Sequence, residues 1–236
     1  MLLKLISIVF LFISISSISV ESRCSRGCDV ALASYYVWEG TNLTFIAKVL
    51  ESSLAPFSPI NFDPILIYNK QVPNKEGVEA FSRLNVPFPC DCINGTFGHF
   101  FNYSVKPGDT YEKITTDYYS NLTTVEMLQQ FNTHQPTNKL DPGTVRVMVN
   151  CSCAGAAISN DYGLFITYPL RPGETLNTVL NQTNLPSNFS GLVQSYNPRA
   201  NFSAGPGLVY IPGRGDFFNI FVLFCVLLIY SSVKMG

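Results

Sequence analysis

Charge is scarce in this chain of 236 residues: Lys and Arg total 15, Asp and Glu 16, and the formal net charge is −1. No basic stripe runs along it, so the electrostatic footprint of a nucleic-acid binder is missing and an uncharged partner fits better. Histidine is rarer still. His99 and His134 read as surface loop residues, with no nucleophile or metal partner suggested beside them in the sequence. Paired carboxylates for glycoside hydrolysis are also lacking: no Asp-x-Asp-x-Glu run occurs, and Asp109 and Glu112 mark one helix start. Neither catalysis nor a cofactor is expected.

Cysteine, by contrast, is present in a pattern. Six of the seven fall in three tight pairs, Cys24/Cys28, Cys90/Cys92 and Cys151/Cys153, and the seventh is Cys225. Zinc thiolates are the alternative to disulfides for such spacings, and a secretory context favours disulfides. Two members of a CxC are too cramped to bridge each other, so each reaches a different partner; up to about 15 connectivities exist for six cysteines before that constraint.

Both termini are apolar. Residues 1–4 carry one Lys, residues 5–18 are apolar and residues 20–22 offer a small-residue cleavage site, so residues 1–22 read as a signal peptide. Residues 216–236 form a hydrophobic tail whose stretch from 217 to 233 is uncharged; at about 1.5 Å per residue it would extend about 26 Å as a helix, the lower edge of a membrane span. A glycolipid-anchor signal, with Ser203-Ala204-Gly205 as the small triplet, is the rival reading, and a soluble product is the third. The expected location is the secretory pathway and the extracellular face of the plasma membrane, with secretion to the apoplast as the alternative. Eight Asn-x-Ser/Thr sites, at Asn42, Asn94, Asn102, Asn121, Asn150, Asn181, Asn188 and Asn201, agree with that route. Asn150 abuts Cys151 and is the crowded one.

Between the termini the chain repeats itself. YSVKPGDTYEKI at 103–114 matches YPLRPGETLNTV at 168–179, with a weaker echo, YYVWEGTNLTFI, at 35–46. Each copy continues to an aromatic-Asn pair ending at Asn69, Asn132 or Asn197. In the second copy a strand is predicted to stop at Pro107-Gly108, Asp109 with Glu112 reads as a capping box, and Tyr111, Ile114 and Tyr118 share one face of the first helix. Thr123 with Glu126 caps a second helix, and Val145, Val147 and Val149 alternate as a closing strand. The first copy has Glu39-Gly40 in place of Pro-Gly. The expected organisation is α+β: three βααβ modules, at 23–92, 93–153 and 154–215, with short linkers at 93–100 and 154–164, lashed into one body by the cysteines.

A strand-helix-helix-strand unit opening on Y-x-V-x-x-G-D-T and ending its second helix in aromatic-Asn resembles a LysM domain. Three of them separated by CxC pairs, with PFPCDC at 87–92, NCSC at 150–153, NLTTVEMLQQFN at 121–132 and YGLFITYPLRPG at 162–173, resemble the extracellular region of plant LysM receptor-like kinases. That resemblance implies the pairing Cys24–Cys92, Cys28–Cys153 and Cys90–Cys151. It also implies binding of N-acetylglucosamine oligomers, in immunity (chitin) or symbiosis (lipochitooligosaccharide), by a receptor, co-receptor or chitin-sequestering decoy, with a LysM receptor or a second copy as possible partner. Loop matched to loop, the implied chitin site in the second module comprises Pro107, Gly108, Asp109, Thr110, Tyr111 and Glu112 on one side and Pro136, Thr137, Asn138, Lys139 and Leu140 on the other. Receptors of this family carry a cytoplasmic kinase; its Gly-rich loop, catalytic-loop Asp and Asp-Phe-Gly are not found in these 236 residues.

Overall fold

The computed structural model describes residues 24, 26–50, 62–133, 140–153, 164–203, 205 and 207–213. The proposed leader, the hydrophobic tail, Pro136, Thr137, Asn138 and Lys139 lie outside the described residues.

Each repeat folds as strand, helix, helix, strand. The first comprises β1 (Cys28–Tyr36), α1 (Leu43–Val49), α2 (Asp63–Tyr68) and β2 (Arg83–Ile93). The second comprises β3 (Thr96–Ser104), α3 (Tyr111–Lys113) running on as a π-helical turn (Ile114–Tyr118), α4 (Val125–Phe131) and β4 (Thr144–Asn150). The third comprises β5 (Leu164–Leu170), α5 (Leu176–Gln182), a 3₁₀ turn (Ser187–Phe189), α6 (Ser190–Tyr196) and β6 (Gly207–Gly213). The strands join in one six-stranded sheet in the order β4-β3-β2-β1-β5-β6. All pairs are antiparallel except β1 with β5, where Leu32 lies opposite Ile166 and Ala33 opposite Thr167.

The stretch expected to be a linker at 93–100 is part of a hairpin. Asn94 and Gly95 both take positive φ, 51° and 86°, the two-residue turn whose twist matches the flanking strands. The boundary between the first two modules therefore falls inside continuous sheet.

Two recurring devices explain the motif residues. In every module a glycine at the third position of a tight turn takes positive φ: Gly40 at 77°, Gly108 at 89° and Gly173 at 84°. The turn closes by Thr41 N to Trp38 O at 3.0 Å, Asp109 N to Lys106 O at 3.1 Å and Glu174 N to Arg171 O at 3.0 Å. Proline at the preceding position is dispensable, as Glu39 shows; the glycine is the part the backbone requires. The terminal asparagines are clips. Asn132 Nδ2 donates to Leu128 O and Arg146 O while its Oδ1 accepts from Arg146 N; Asn69 does the same across to Asn85, and Asn197 across to Tyr210. One side chain satisfies the open end of a helix and pins it to the second strand.

Strand alternation on β1 divides the interior. Ala31, Ala33 and Tyr35 face a core shared by the first two modules, with Leu43, Ile46, Phe88, Phe101, Tyr111, Ile114, Tyr119, Leu128 and Val147. Leu32 points the other way, into a separate core with Ile166, Tyr168, Leu170, Val179, Val193, Val209 and Ile211 of the third module. The disulfides follow the same division. Cys24–Cys92, Cys28–Cys153 and Cys90–Cys151 close as the resemblance implied, and all lie within residues 24–153. No cysteine stands between Cys153 and Cys225, so the third module joins the sheet without an internal bridge.

It is held instead by strand pairing and by two arginines. Arg83 Nη2 donates to Pro169 O at 2.8 Å and to Glu174 at 3.0 and 3.1 Å, and its guanidinium lies 3.9 Å from the Tyr168 ring centroid. Both charged side chains are nearly buried, 8% and 11% exposed. Arg171 adds a second cation over Tyr36, 3.6 Å from its centroid.

Candidate functional site

The loop between β3 and α3 and the segment leading into β4 stand side by side in the second module. Val105 N donates to Gly143 O at 2.9 Å, and Leu140 N donates to Asp109 O at 3.2 Å, so backbone bonds fix the spacing of the two walls. Of the six candidates on the first wall, Pro107, Gly108 and Glu112 are exposed and Thr110 is half-buried. Asp109 and Tyr111 have no exposed surface, and Leu140 is 3% exposed. These three support the walls from within.

Asp109 is not the helix cap that the Asp109/Glu112 spacing predicted. Thr110 caps α3, accepting from Lys113 N at 3.1 Å, and Thr124 rather than Thr123 caps α4, accepting from Met127 N at 3.2 Å. Asp109 sits one residue earlier, where its carboxylate accepts from Lys106 N at 2.7 Å, the Tyr103 hydroxyl at 2.8 Å and the Tyr118 hydroxyl at 3.0 Å. Burial works against its charge; these bonds and Lys113 Nζ at 3.7 Å outweigh it and hold the carboxyl below the ordinary carboxylate range. Burial first, and then the Asp109 bond, push the Tyr103 phenol far up. The negative charge is thus answered inside the module, and the turn presents Pro107 and Gly108 outward.

Tyr118 reaches Asp109 because α3 widens into a π turn, with Tyr119 N donating to Ile114 O at 2.9 Å. The same widening turns carbonyls toward the first module: Thr116 O accepts from Trp38 Nε1 and Tyr118 O from the Tyr35 hydroxyl, each at 3.0 Å. The regular helix expected to carry Tyr111, Ile114 and Tyr118 thus ends as a π turn, and Tyr118, partly buried, still packs against the core that holds Tyr111 and Ile114.

Two recesses lie apart from these candidate residues. One, about 580 Å³, opens between the first two modules and is lined by Trp38, Gly40, Asn42, Phe45, Phe81, Asp117 and Tyr118. The other, about 460 Å³, belongs to the third module and is lined by Leu170, Tyr196, Pro198, Arg199, Asn201, Gly207 and Tyr210 among others. Sequence patterning pointed to neither, because each is made by residues that touch only after the loops fold back. Of the glycosylation candidates, Asn42, Asn94, Asn102, Asn181, Asn188 and Asn201 are exposed and Asn121 is half-buried. Asn150 is half-buried with its Nδ2 3.9 Å from Met127 Sδ. Cys28, Cys90 and Cys153 sulfurs cluster within 4.8 Å, but all three are in disulfides and hold no thiolate for a metal. Among the described residues no helix is long and apolar enough to cross a membrane.

Comparison with known proteins agrees with this architecture. LysM domain profiles match residues 103–145 and 166–212. Chitin elicitor receptor kinase 1 of Arabidopsis thaliana is 47% identical over 197 residues, covering 83% of this chain and 31% of that protein. LysM domain receptor-like kinase 3 of Medicago truncatula is 44% identical, covering 89% of this chain and 34% of its own length. The chain thus spans about a third of the length of these receptor kinases. A crystal structure of the ectodomain of a receptor-like kinase superposes with a TM-score of 0.73 at 46% identity, covering 81% of this chain and 94% of that one. With three βααβ modules in one sheet, receptor kinases 47% and 44% identical over most of this chain and a solved ectodomain matched over nearly its whole length, this chain belongs to the LysM receptor-like kinase ectodomain family.

Proposed function

We propose that the chain binds N-acetylglucosamine oligomers in the groove of its second module, as a receptor or co-receptor ectodomain at the outer face of the plasma membrane, tethered by its hydrophobic tail. The observation that carries this reading is the Asp109 network. An uncharged sugar with N-acetyl arms needs close backbone approach and small apolar contacts rather than a fixed anion. With the Asp109 charge answered internally by Lys106 N, Tyr103, Tyr118 and Lys113, the turn offers Pro107 and the Cβ-free Gly108, whose missing side chain leaves open space. Pro107, Gly108, Thr110 and Glu112 are assigned to the rim, Asp109, Tyr111 and Leu140 to its support, and Pro136, Thr137, Asn138 and Lys139 to the opposing lip. The names of the relatives support the ligand class, one being a chitin elicitor receptor kinase. No kinase chemistry is assigned to this chain.

Titration calorimetry of the 23–215 fragment with chitin oligomers of increasing length tests the reading. Affinity that rises with length is expected. Absence of binding at any length rejects the sugar-binding role, and binding only of an acylated oligomer assigns the chain to lipochitooligosaccharides.

A further inference from the structure

The third module's recess has a wall residue that carries its own candidate ligand. Asn201 lines this cavity of about 460 Å³ and heads the sequence Asn-Phe-Ser. Phe202 is 9% exposed and packs in the third core, which anchors the loop, while Asn201 and Ser203 on either side face solvent. Asn201 Oδ1 accepts from Ser203 N at 3.0 Å, so the amide plane is fixed and Nδ2, the atom that glycosylation modifies, is left over. The recess lies along the α6–β6 segment, the counterpart of the second module's wall that holds Leu140. Gly205 brings that segment against the β5–α5 turn, where an added Cβ would stand 3.0 Å from Arg171 O.

The core of an N-glycan begins with two β-1,4-linked N-acetylglucosamine residues, the repeating unit of chitin. We propose that the N-glycan on Asn201 seats this core disaccharide in the third module's recess, so that the module is filled by a sugar of its own chain and is closed to chitin from outside. In the modification the Nδ2–C1 bond forms, the lipid pyrophosphate of the oligosaccharide donor leaves and the amide loses one proton. The inference rests on the preceding reading that these modules take N-acetylglucosamine. The cavity is near the small end of ligand pockets, which run from about 300 to 1,000 Å³, and suits a disaccharide better than a long oligomer. Tyr196 and Pro198 supply apolar surface, and Arg199, which has no ion pair among the described residues, supplies donors for sugar hydroxyls. Attachment at the wall removes the entropic cost of bringing the sugar there.

The test uses the full chain secreted from cells that add high-mannose glycans. Native protein is digested with peptide-N-glycosidase, and release at each site is followed by glycopeptide mass spectrometry, with Asn94 at the hairpin tip and Asn102 on the exposed face of β3 as internal references. Release at Asn201 slower by about tenfold is expected, the ratio of seated to free sugar for a millimolar effective concentration and an affinity of about 0.1 mM. Gly207→Phe puts a ring into the recess at a position where an added Cβ meets no heavy atom within 4 Å, and it should restore the reference rate. Equal rates in the unsubstituted protein, or an unmodified Asn201, overturn the proposal. Ser203→Ala, which removes the glycan and keeps Asn201, should raise the number of chitin oligomers bound from one to two; an unchanged stoichiometry counts against it. If slow release is found and neither protein binds oligomers, the internal sugar stands and the second-module groove is rejected.

Discussion

The first two modules and the third are built from the same repeat and held by different means. Residues 24–153 enclose one continuous core and all three disulfides, whereas the third module has its own core and docks through β1–β5 pairing, Arg83 and Arg171. The acid after the turn glycine shows the consequence. In the second module Asp109 turns inward to Tyr103 and Tyr118 and leaves its turn free. In the third, Glu174 keeps the bonds to the Tyr168 hydroxyl and Arg171 N but also takes Arg83 of the first module. The acid of the third module's turn is thereby part of an internal interface, while Pro172 and Gly173 stay exposed as Pro107 and Gly108 do; the acid of the second module's turn is answered within its own module. In the first module the acid is replaced by Thr41, and its tyrosine, Tyr35, bonds to Tyr118 O instead.

Breaking the disulfide-clamped half should have the largest effect. Replacing Cys90 and Cys151 together by Ser opens a loop with a sequence separation of 61 and should lower the stability of the first two modules by about 4 kcal/mol. In calorimetry their transition should fall, while the third module's core, which contains no cysteine, keeps its own. A single transition that drops as a whole would show that the two cores are one cooperative unit.

Arg83→Met attacks the other half. It leaves Glu174 nearly buried without its cation and should cost about 3 kcal/mol, felt as detachment of the third module and read as faster amide exchange across β5 and β6. Exchange that accelerates equally in β3 and β4 would contradict the division.

Asp109→Asn should destabilise the second module by about 2 kcal/mol at neutral pH, through the loss of charge-assisted hydrogen bonds. Its pH dependence has a definite sign. The folded carboxyl lies below its ordinary range, so the unfolded chain binds the proton first and stability falls as pH drops below about 4. The variant should lose that part of the acid limb, and an unchanged acid limb in urea titrations would show that the Asp109 charge does not stabilise the fold. The smallest effect expected on stability is that of Gly108→Val, about 1 kcal/mol for a side chain at a φ of 89°, yet it should abolish most chitin-oligomer affinity.

Much of this was visible in the residues. The Gly at 40, 108 and 173 and the Asn at 69, 132 and 197 repeat because each does a local task, a positive φ or a clip between a helix end and a neighbouring strand, and local tasks leave periodic marks. The role of Asp109 was not visible. Its partner Tyr118 arrives through a π turn that the 3.6-residue pattern does not encode, and a capping box is the simpler reading of an acid three residues before a Glu. The split into two cores was hidden as well, because it depends on β1 presenting Ala33 to one side and Leu32 to the other, and three cysteine pairs alone suggested clamps on every module. Of the proposed site, the Pro107–Gly108 turn was legible, whereas the internal placement of Asp109 and Tyr111 follows from tertiary burial.

Hydrogen exchange of the ectodomain with and without a long chitin oligomer tests the central claim most directly. Protection confined to the second module, at the amides of residues 105–112 and 140–143, is the result predicted. Protection at the Trp38–Phe81 recess or at residues 171–175 of the third module, with residues 105–112 unchanged, would contradict it.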